Sequence, residues 1–285
     1  MWTILISCIC IVALFFLIVM LIDGNRFVVR TYQISSEKIA KPRRVLLVSD
    51  LHNKSYGKNN DRVFEKIEEL KPDFALIGGD LVTASPGEKA DVALQFAQRL
   101  SGMCPVYYGL GNHEYRLRLY PEKYCIHGYE QKLKKMGIHL LDNGRIAVDD
   151  DIEIAGFSIE RYYYRRLAKH EMTSEYPKQK LGSCNEKRFQ IMIAHNPEYF
   201  EAYAGWGADL TVSGHVHGGV MRLPFLGGVI SPRLTLFPKY DGGMFEQNGR
   251  FMVVSRGLGT HTLPVRIFNP GELIMIELNP VGHMQ

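Results

Sequence analysis

The chain is 285 residues long, with 46% hydrophobic and 22% charged side chains and a formal net charge of +4 at pH 7. This is a globular composition, and so mild a charge lacks the basic excess of a nucleic-acid binder while permitting affinity for anionic substrates or lipid headgroups. Of the five cysteines, Cys8 and Cys10 lie in the apolar N-terminus, and the wide spacing of Cys104, Cys125 and Cys184 speaks against a disulfide scaffold or a cysteine-ligated zinc site.

Trp2 to Ile22 contains no charged residue. About 20 apolar residues at 1.5 Å rise cover the roughly 30 Å hydrocarbon core of a bilayer. The positive n-region, short apolar core and A-x-A-like site of a cleaved signal peptide are missing, so residues 1–23 are expected to form a retained single-pass membrane anchor. Residues 24–41 read as a basic linker, and 42–285 as one domain. Arg26, Arg30, Lys38, Lys41, Arg43 and Arg44 all follow the span, which by the positive-inside rule puts the domain on the cytoplasmic side of the cell membrane.

A rhythm follows. Val45–Val48 is a short apolar run suited to a buried strand, and Asp61–Leu70 places Val63, Phe64, Ile67 and Leu70 at helical spacing before Lys71-Pro72 stops it. Phe74–Ile77 is a second strand, Glu88–Leu100 a helix, and Val106–Tyr108 a third strand. Ile138–Leu141, Arg145–Val148 and Ile152–Phe157 read as strands separated by Asp-Asn-Gly and Asp-Asp-Asp turns. Phe189–Ala194, Leu210–Ser213, Phe251–Ser255, Val265–Phe268 and Leu273–Leu278 supply the rest. The βαβα opening predicts a parallel or mixed sheet, and the later strands predict added antiparallel pairing.

Five loops that each follow a predicted strand carry ligand-type side chains: Asp50-Leu51-His52, Gly79-Asp80, Gly111-Asn112-His113-Glu114, Ala194-His195-Asn196 and Ser213-Gly214-His215-Val216-His217. Loops at the carboxyl ends of strands in an α/β sheet converge on one crevice. In an extended turn residues i and i+2 project alike, so Asp50 with His52, and His215 with His217, are spaced for chelation. A carboxylate has two oxygens with which to bridge two cations, which suits Asp80. Mixed His, Asp and Asn donors favour borderline-to-hard ions, Mn²⁺ first, with Fe or Zn²⁺ as the alternatives. Each motif alone is commonplace; five in order at strand ends are not.

The order D-x-H, G-D, G-N-H-E, H, G-H-x-H resembles the calcineurin-like metallophosphoesterase superfamily, from about Val45 to the C-terminus. The stretches Ser213–Gly219 and Val254–Thr260 look like its membrane-associated bacterial phosphodiesterase branch, often labelled YkuE- or YaeI-like. The resemblance implies an α/β (α+β) fold, a four-layer αββα sandwich of two mixed sheets flanked by helices, here preceded by one N-terminal transmembrane helix. It implies two divalent metal ions, one held by Asp50, His52, Asp80 and His217, the other by Asp80, Asn112, His195 and His215. It makes His113 the catalytic residue that contacts the phosphate and protonates or stabilises the leaving oxygen, beside ions that polarise both ends of an in-line displacement. Secreted relatives leave the opposite side of the membrane open. The second block of the family commonly reads G-D-x-x-D, and here its last position is Thr83, which lacks the charge of an aspartate that orients a histidine.

Outside the motif, Arg222 and Arg256 are candidate substrate contacts, with ion pairing inside the fold as the alternative. Arg161, Arg165 and Arg166 are either an anionic-headgroup contact or part of a solvated insertion. Pro224–Pro238, with Phe225, Leu226 and Phe237, reads as an apolar lip or a long connector. The expected activity is hydrolysis of a phosphodiester or pyrophosphate in a membrane-associated or lipid-linked molecule. The alternatives are a phosphomonoesterase or phosphoprotein phosphatase, and a non-catalytic metal-binding scaffold. No nucleic acid and no obligate protein partner is expected.

Overall fold

The computed structural model describes residues 1–165, 170–219, 221–223, 225–231, 235–260 and 264–282. Helix α1 (Trp2–Asn25) leads into strands β1 (Phe27–Ser36) and β2 (Arg43–Val48), helix α2 (Asp61–Leu70), β3 (Phe74–Ile77), α3 (Asp91–Ser101) and β4 (Val106–Gly109). Helices α4 (Asn112–Leu119), α5 (Pro121–Tyr124) and α6 (Tyr129–Lys135) precede β5 (His139–Leu141), β6 (Gly144–Ala147) and β7 (Ile152–Gly156). Then come α7 (Glu175–Leu181), β8 (Phe189–Ile193), α8 (Phe200–Trp206) and β9 (Leu210–Ser213), followed by the short pair β10 (Arg222–Leu223) and β11 (Gly227–Gly228). Strands β12 (Gly243–Gln247), β13 (Arg250–Val254) and β14 (Gly271–Pro280) complete the fold.

Two six-stranded sheets result, ordered β1-β14-β2-β3-β4-β5 and β12-β13-β9-β8-β7-β6. The two-residue period of each strand decides which core a side chain enters. Val45 and Leu47 point between the sheets, against Ile154, Ile191, Val212 and Ile276. Leu46 and Val48 point the other way and are covered by Phe64 and Ile67 of α2 and Phe96 of α3. On the far side, Ala155 and Met192 of the second sheet are covered by Tyr203 and Trp206 of α8. The layers therefore run helix, sheet, sheet, helix, the αββα sandwich expected. Because both faces of the central strands are buried, their sequences are unbroken apolar runs rather than alternating ones.

Two expectations need correction. The stretch read as a linker is mostly strand: β1 is ten residues long and pairs parallel with β14 along its whole length. Its charges misled, because they are neutralised locally; Arg30 Nε donates to Glu272 at 2.9 Å and Arg26 Nε to Asp23 at 2.8 Å. Val265–Phe268 is not a strand, and only Ile267 forms an isolated bridge, to Met221. The reason is Arg266, whose buried guanidinium donates to the carbonyls of Arg256, Gly257, Gly259 and Asn269, which requires an irregular path around it. The later strands add antiparallel pairing, as expected, at β12–β13, β6–β7 and β14–β2, around a parallel centre of β13, β9, β8 and β7.

Candidate metal centre

All five ligand-bearing loops leave carboxyl ends of parallel strands, from β2, β3 and β4 in the first sheet and from β8 and β9 in the second. Backbone hydrogen bonds stitch them together. Asp50 N–H donates to Gly79 O at 3.0 Å, His52 N–H to Asp80 O at 3.2 Å, and Gly214 N–H to His195 O at 3.1 Å. A sixth loop, after β13, joins from below, where Gly259 N–H donates to Asp50 O at 2.6 Å. Asp50, His52, Asp80, His215 and His217 all have left-handed backbones, with φ of 51, 48, 55, 69 and 53°. Such residues cost about 1–3 kcal/mol each and persist where their surroundings overdetermine them.

The strain aims the side chains. Asp50 Oδ2 takes a hydrogen bond from Ser49 Oγ at 2.5 Å, and the His215 N–H lies 3.1 Å from both carboxylate oxygens. Asp50 Oδ1 lies 3.3 Å from His217 Nε2 and 3.9 Å from Nε2 of both His52 and His195. Asp80 Oδ1 accepts the His113 N–H at 2.7 Å, while Oδ2 lies 3.1 Å from His195 Nε2 and 4.0 Å from His52 Nε2. Three groups of donor atoms thus gather, each within 4.8 Å: Asp50, His52 and His217; Asp80, His195 and His215; and, between them, His52, Asp80 and His113. Asn112 Oδ1 is buried and accepts no hydrogen bond among the described residues, which suits an oxygen meant for a cation.

The charges agree. Burial pushes Asp50 up to about 6, with His195 pulling against it and Asp80 adding to the rise. Burial would also raise Asp80, but His195, His113 and His52 hold its carboxyl well below the ordinary range. Burial disfavours a cationic His195, yet the Asp80 and Asp50 carboxylates and the Gly78 carbonyl raise it to about 10. Two carboxylates out of water thus retain a proton on the imidazole between them, since positive charge is strongly favoured there. The residues present fit a pair of divalent cations.

Hydrogen bonding at Nδ1 differs between the rings of His195 and His113. His195 Nδ1 faces Gly78 O at 2.7 Å and must donate to it, leaving Nε2 for a cation. His113 is the reverse: its Nδ1 accepts the Ala84 N–H at 2.8 Å, so the neutral ring carries its proton on Nε2. His113 also lies in a donor cluster with His52 and Asp80, but this tautomer makes its Nε2 a donor rather than a ligand. Thr83, the departure from the family pattern expected above, has its Oγ1 3.2 Å from His52 Nδ1. Glu114 takes no part in that contact. Buried beneath the loops, it accepts from the N–H groups of Asp80, Leu81 and Gly111 at 2.9–3.0 Å and from Tyr108 OH at 2.6 Å, tying the β3 loop to the β4 loop.

Arg222 opens the short strand β10, and Arg256 lies on the loop that follows β13. Arg222 Nη1 is 3.0 Å from Asp241, and Arg256 Nε is 3.7 Å from Glu272, so both have carboxylate partners within the fold. Arg161 and Arg165 are exposed, and Arg166 lies outside the described residues, as does Pro224 of the expected lip. Tyr164, passed over in the sequence, stands with its ring centroid 5.1 Å from that of His215. The only signal was three consecutive tyrosines. Asn269 was missed as well, and its side-chain amide donates to His217 O at 2.7 Å and to Gly219 O.

The family model of the calcineurin-like phosphoesterases matches residues 43–219. This chain belongs to that family. It is 27% identical over 263 residues to an uncharacterized metallophosphoesterase of Aquifex aeolicus, covering 90% of this chain and 93% of the relative. It is 26% identical to the uncharacterized metallophosphoesterase YkuE of Bacillus subtilis, covering 82% and 78%, and 26% identical to phosphodiesterase YaeI of Escherichia coli, covering 84% and 83%. Of two Helicobacter pylori metallophosphoesterases that it also matches, it spans 62% of the length. The chain is a metallophosphoesterase, a hydrolase of phosphoric ester bonds.

Proposed function

We propose that this chain is a phosphodiesterase, hydrolysing a phosphodiester or pyrophosphate bond in a membrane-associated or lipid-linked molecule. The observation that carries the reading is that buried Asp80 stands between two donor groups, its Oδ2 4.0 Å from His52 Nε2 of one and 3.1 Å from His195 Nε2 of the other. Asp50, His52, Asp80 and His217 would hold one divalent cation, and Asp80, Asn112, His195 and His215 the other, Mn²⁺ foremost, with Fe or Zn²⁺ as alternatives. Bound there, such ions supply positive charge to the phosphoryl oxygens and acidify water. Ser49 and the His215 N–H fix the rotation of Asp50, as the His113 N–H fixes that of Asp80. With its Nδ1 occupied by Ala84, His113 offers an Nε2 proton to the leaving oxygen.

The lipid-linked part of the reading draws on α1, a 24-residue apolar helix long enough to cross a membrane. It also draws on the likeness to a protein named as a phosphodiesterase, YaeI. The test is a paired assay of the Mn²⁺-loaded protein on bis-p-nitrophenyl phosphate and p-nitrophenyl phosphate, followed by a lipid-extract screen read by mass spectrometry. Faster turnover of the diester is expected. A preference for the monoester would make the chain a phosphomonoesterase instead.

A further inference from the structure

The catalytic domain does not hang from α1 on a tether. Asp23, at the base of the helix, is 1% exposed and accepts the Asn269 N–H at 2.9 Å, while Lys54 donates to Gly24 O and Arg62 Nη1 to Asn25 O at 3.4 Å. Farther up the helix, the ring of Phe268 lies 6.3 Å from the rings of both Phe15 and Phe16. Those residues stand nine and ten positions before Asn25, or roughly 14 Å along the axis at 1.5 Å per residue. The whole helix is roughly 36 Å long, so a bilayer core of about 30 Å centred on it would enclose them by roughly 10 Å. A catalytic-domain ring that touches them lies at hydrocarbon depth.

Phe268 is not alone. Ile267 bridges Met221, Arg222 and Leu223 pair with Gly228 and Gly227, and Ile230 bridges Leu236. The resulting ribbon presents Phe225, fully exposed, and Leu226, Leu236 and Phe237, which are 63%, 64% and 54% exposed. It grows directly out of the His215–His217 loop, and Asn269, bonded to His217 O, receives Asp23 through its backbone.

We propose that this ribbon is a bilayer-docking surface: Phe225, Leu226, Leu236, Phe237 and Phe268 insert into the apolar edge of the membrane that α1 crosses, setting the metal centre at the level of the headgroups. The occupant is lipid because the ribbon is joined, through the Ile267–Met221 bridge next to Phe268, to a helix long and apolar enough to cross a membrane. Side chains of this kind at an interface gain by burying apolar area in the acyl region. The substrate class that follows, an amphiphile whose phosphoester lies at the bilayer surface, rests on the phosphodiesterase reading; the docking itself does not.

The test uses the full chain in vesicles of phosphatidylethanolamine and phosphatidylglycerol, with Trp2→Phe as the background and core Trp206 as a constant reference. The tryptophan of Phe225→Trp or Phe237→Trp should emit at shorter wavelength than in water and be quenched by lipids brominated near the top of their acyl chains. Unquenched, water-like emission would overturn the proposal, as would self-association of the chain that buries the probe away from bromolipid. In parallel, Phe225→Ser combined with Phe237→Ser should cut hydrolysis of a vesicle-embedded diester about tenfold or more while leaving bis-p-nitrophenyl phosphate turnover unchanged. Equal rates on the embedded diester would also count against docking. If neither substrate is cleaved by the parent protein, the phosphodiesterase reading fails, and the quenching still decides the docking.

Discussion

His113 and His195 are both buried imidazoles at the carboxyl end of a strand, yet opposite hydrogen bonds at Nδ1 give them opposite chemistry. Ala84 N–H makes the neutral His113 ring a donor at Nε2; Gly78 O holds the Nδ1 proton of His195, so that ring accepts at Nε2 only once the proton there has been released. His113→Ala should therefore keep its metal content, measured by plasma emission, while kcat falls by about 10²-fold or more, the scale of a lost general acid. Thr83 is the second telling residue. A hydroxyl both donates and accepts, so at 3.2 Å it orients His52 without the charge that would raise its basicity. Thr83→Val should weaken metal retention about 10-fold or more, as the loss of such a supporting contact does, and Thr83→Asp should hold metal at least as well as the parent. Equilibrium dialysis against a graded chelator measures both. The departure from the family pattern was legible in the sequence, but the surviving contact with His52 depended on where the Thr83 side chain turned.

Gly214 shows what a turn glycine does at the level of elements. It lies between β9 of one sheet and the Asp50 loop of the other, and a Cβ there would stand 2.0 Å from Ser49 Oγ and 2.1 Å from Asp50 Oδ2. Gly214→Ala must displace the Ser49 hydroxyl and the Asp50 carboxylate, costing about 1–3 kcal/mol of overpacking strain. The expected outcome is lower metal content together with a melting temperature several degrees lower, roughly 2–4 °C per kcal/mol at this size. Calorimetry of the metal-free protein isolates the strain, and metal analysis isolates the damage to the site. In the sequence Gly214 stands only as one residue of a ligand-bearing loop after a strand. Its use as a point of close approach between sheets is a property of their packing. β1 was misread for a related reason, since an edge strand that is half exposed and carries Arg30 has the composition of a linker until Glu272 is seen beside it.

For the whole molecule, the centre is a place where protons and metal ions compete. His195 is raised to about 10 against the cost of burial, so near neutral pH it is protonated without metal and must release that proton to serve as a ligand. Metal affinity should therefore rise with pH across the neutral range, by about tenfold per unit for each proton displaced, and fall as the site is acidified. Titration calorimetry in buffers of different ionisation enthalpy would show this release directly. Since the cations bind only the folded loops, a chelator should lower the melting temperature, and Mn²⁺ in excess should restore it.

The sequence by itself determined the local terms of this protein: an apolar helix of membrane length, buried strands marked by unbroken runs such as Val45–Val48 and Phe74–Ile77, and ligand-type residues placed just after them. Those features depend on side-chain chemistry and short-range period, which are written residue by residue. Only the tertiary structure decided which imidazole donates, that Thr83 meets His52, that Arg222 and Arg256 are paired, and that Phe268 touches the anchor. These depend on contacts between residues tens to hundreds of positions apart, whose geometry arises when two sheets pack and no single segment encodes it.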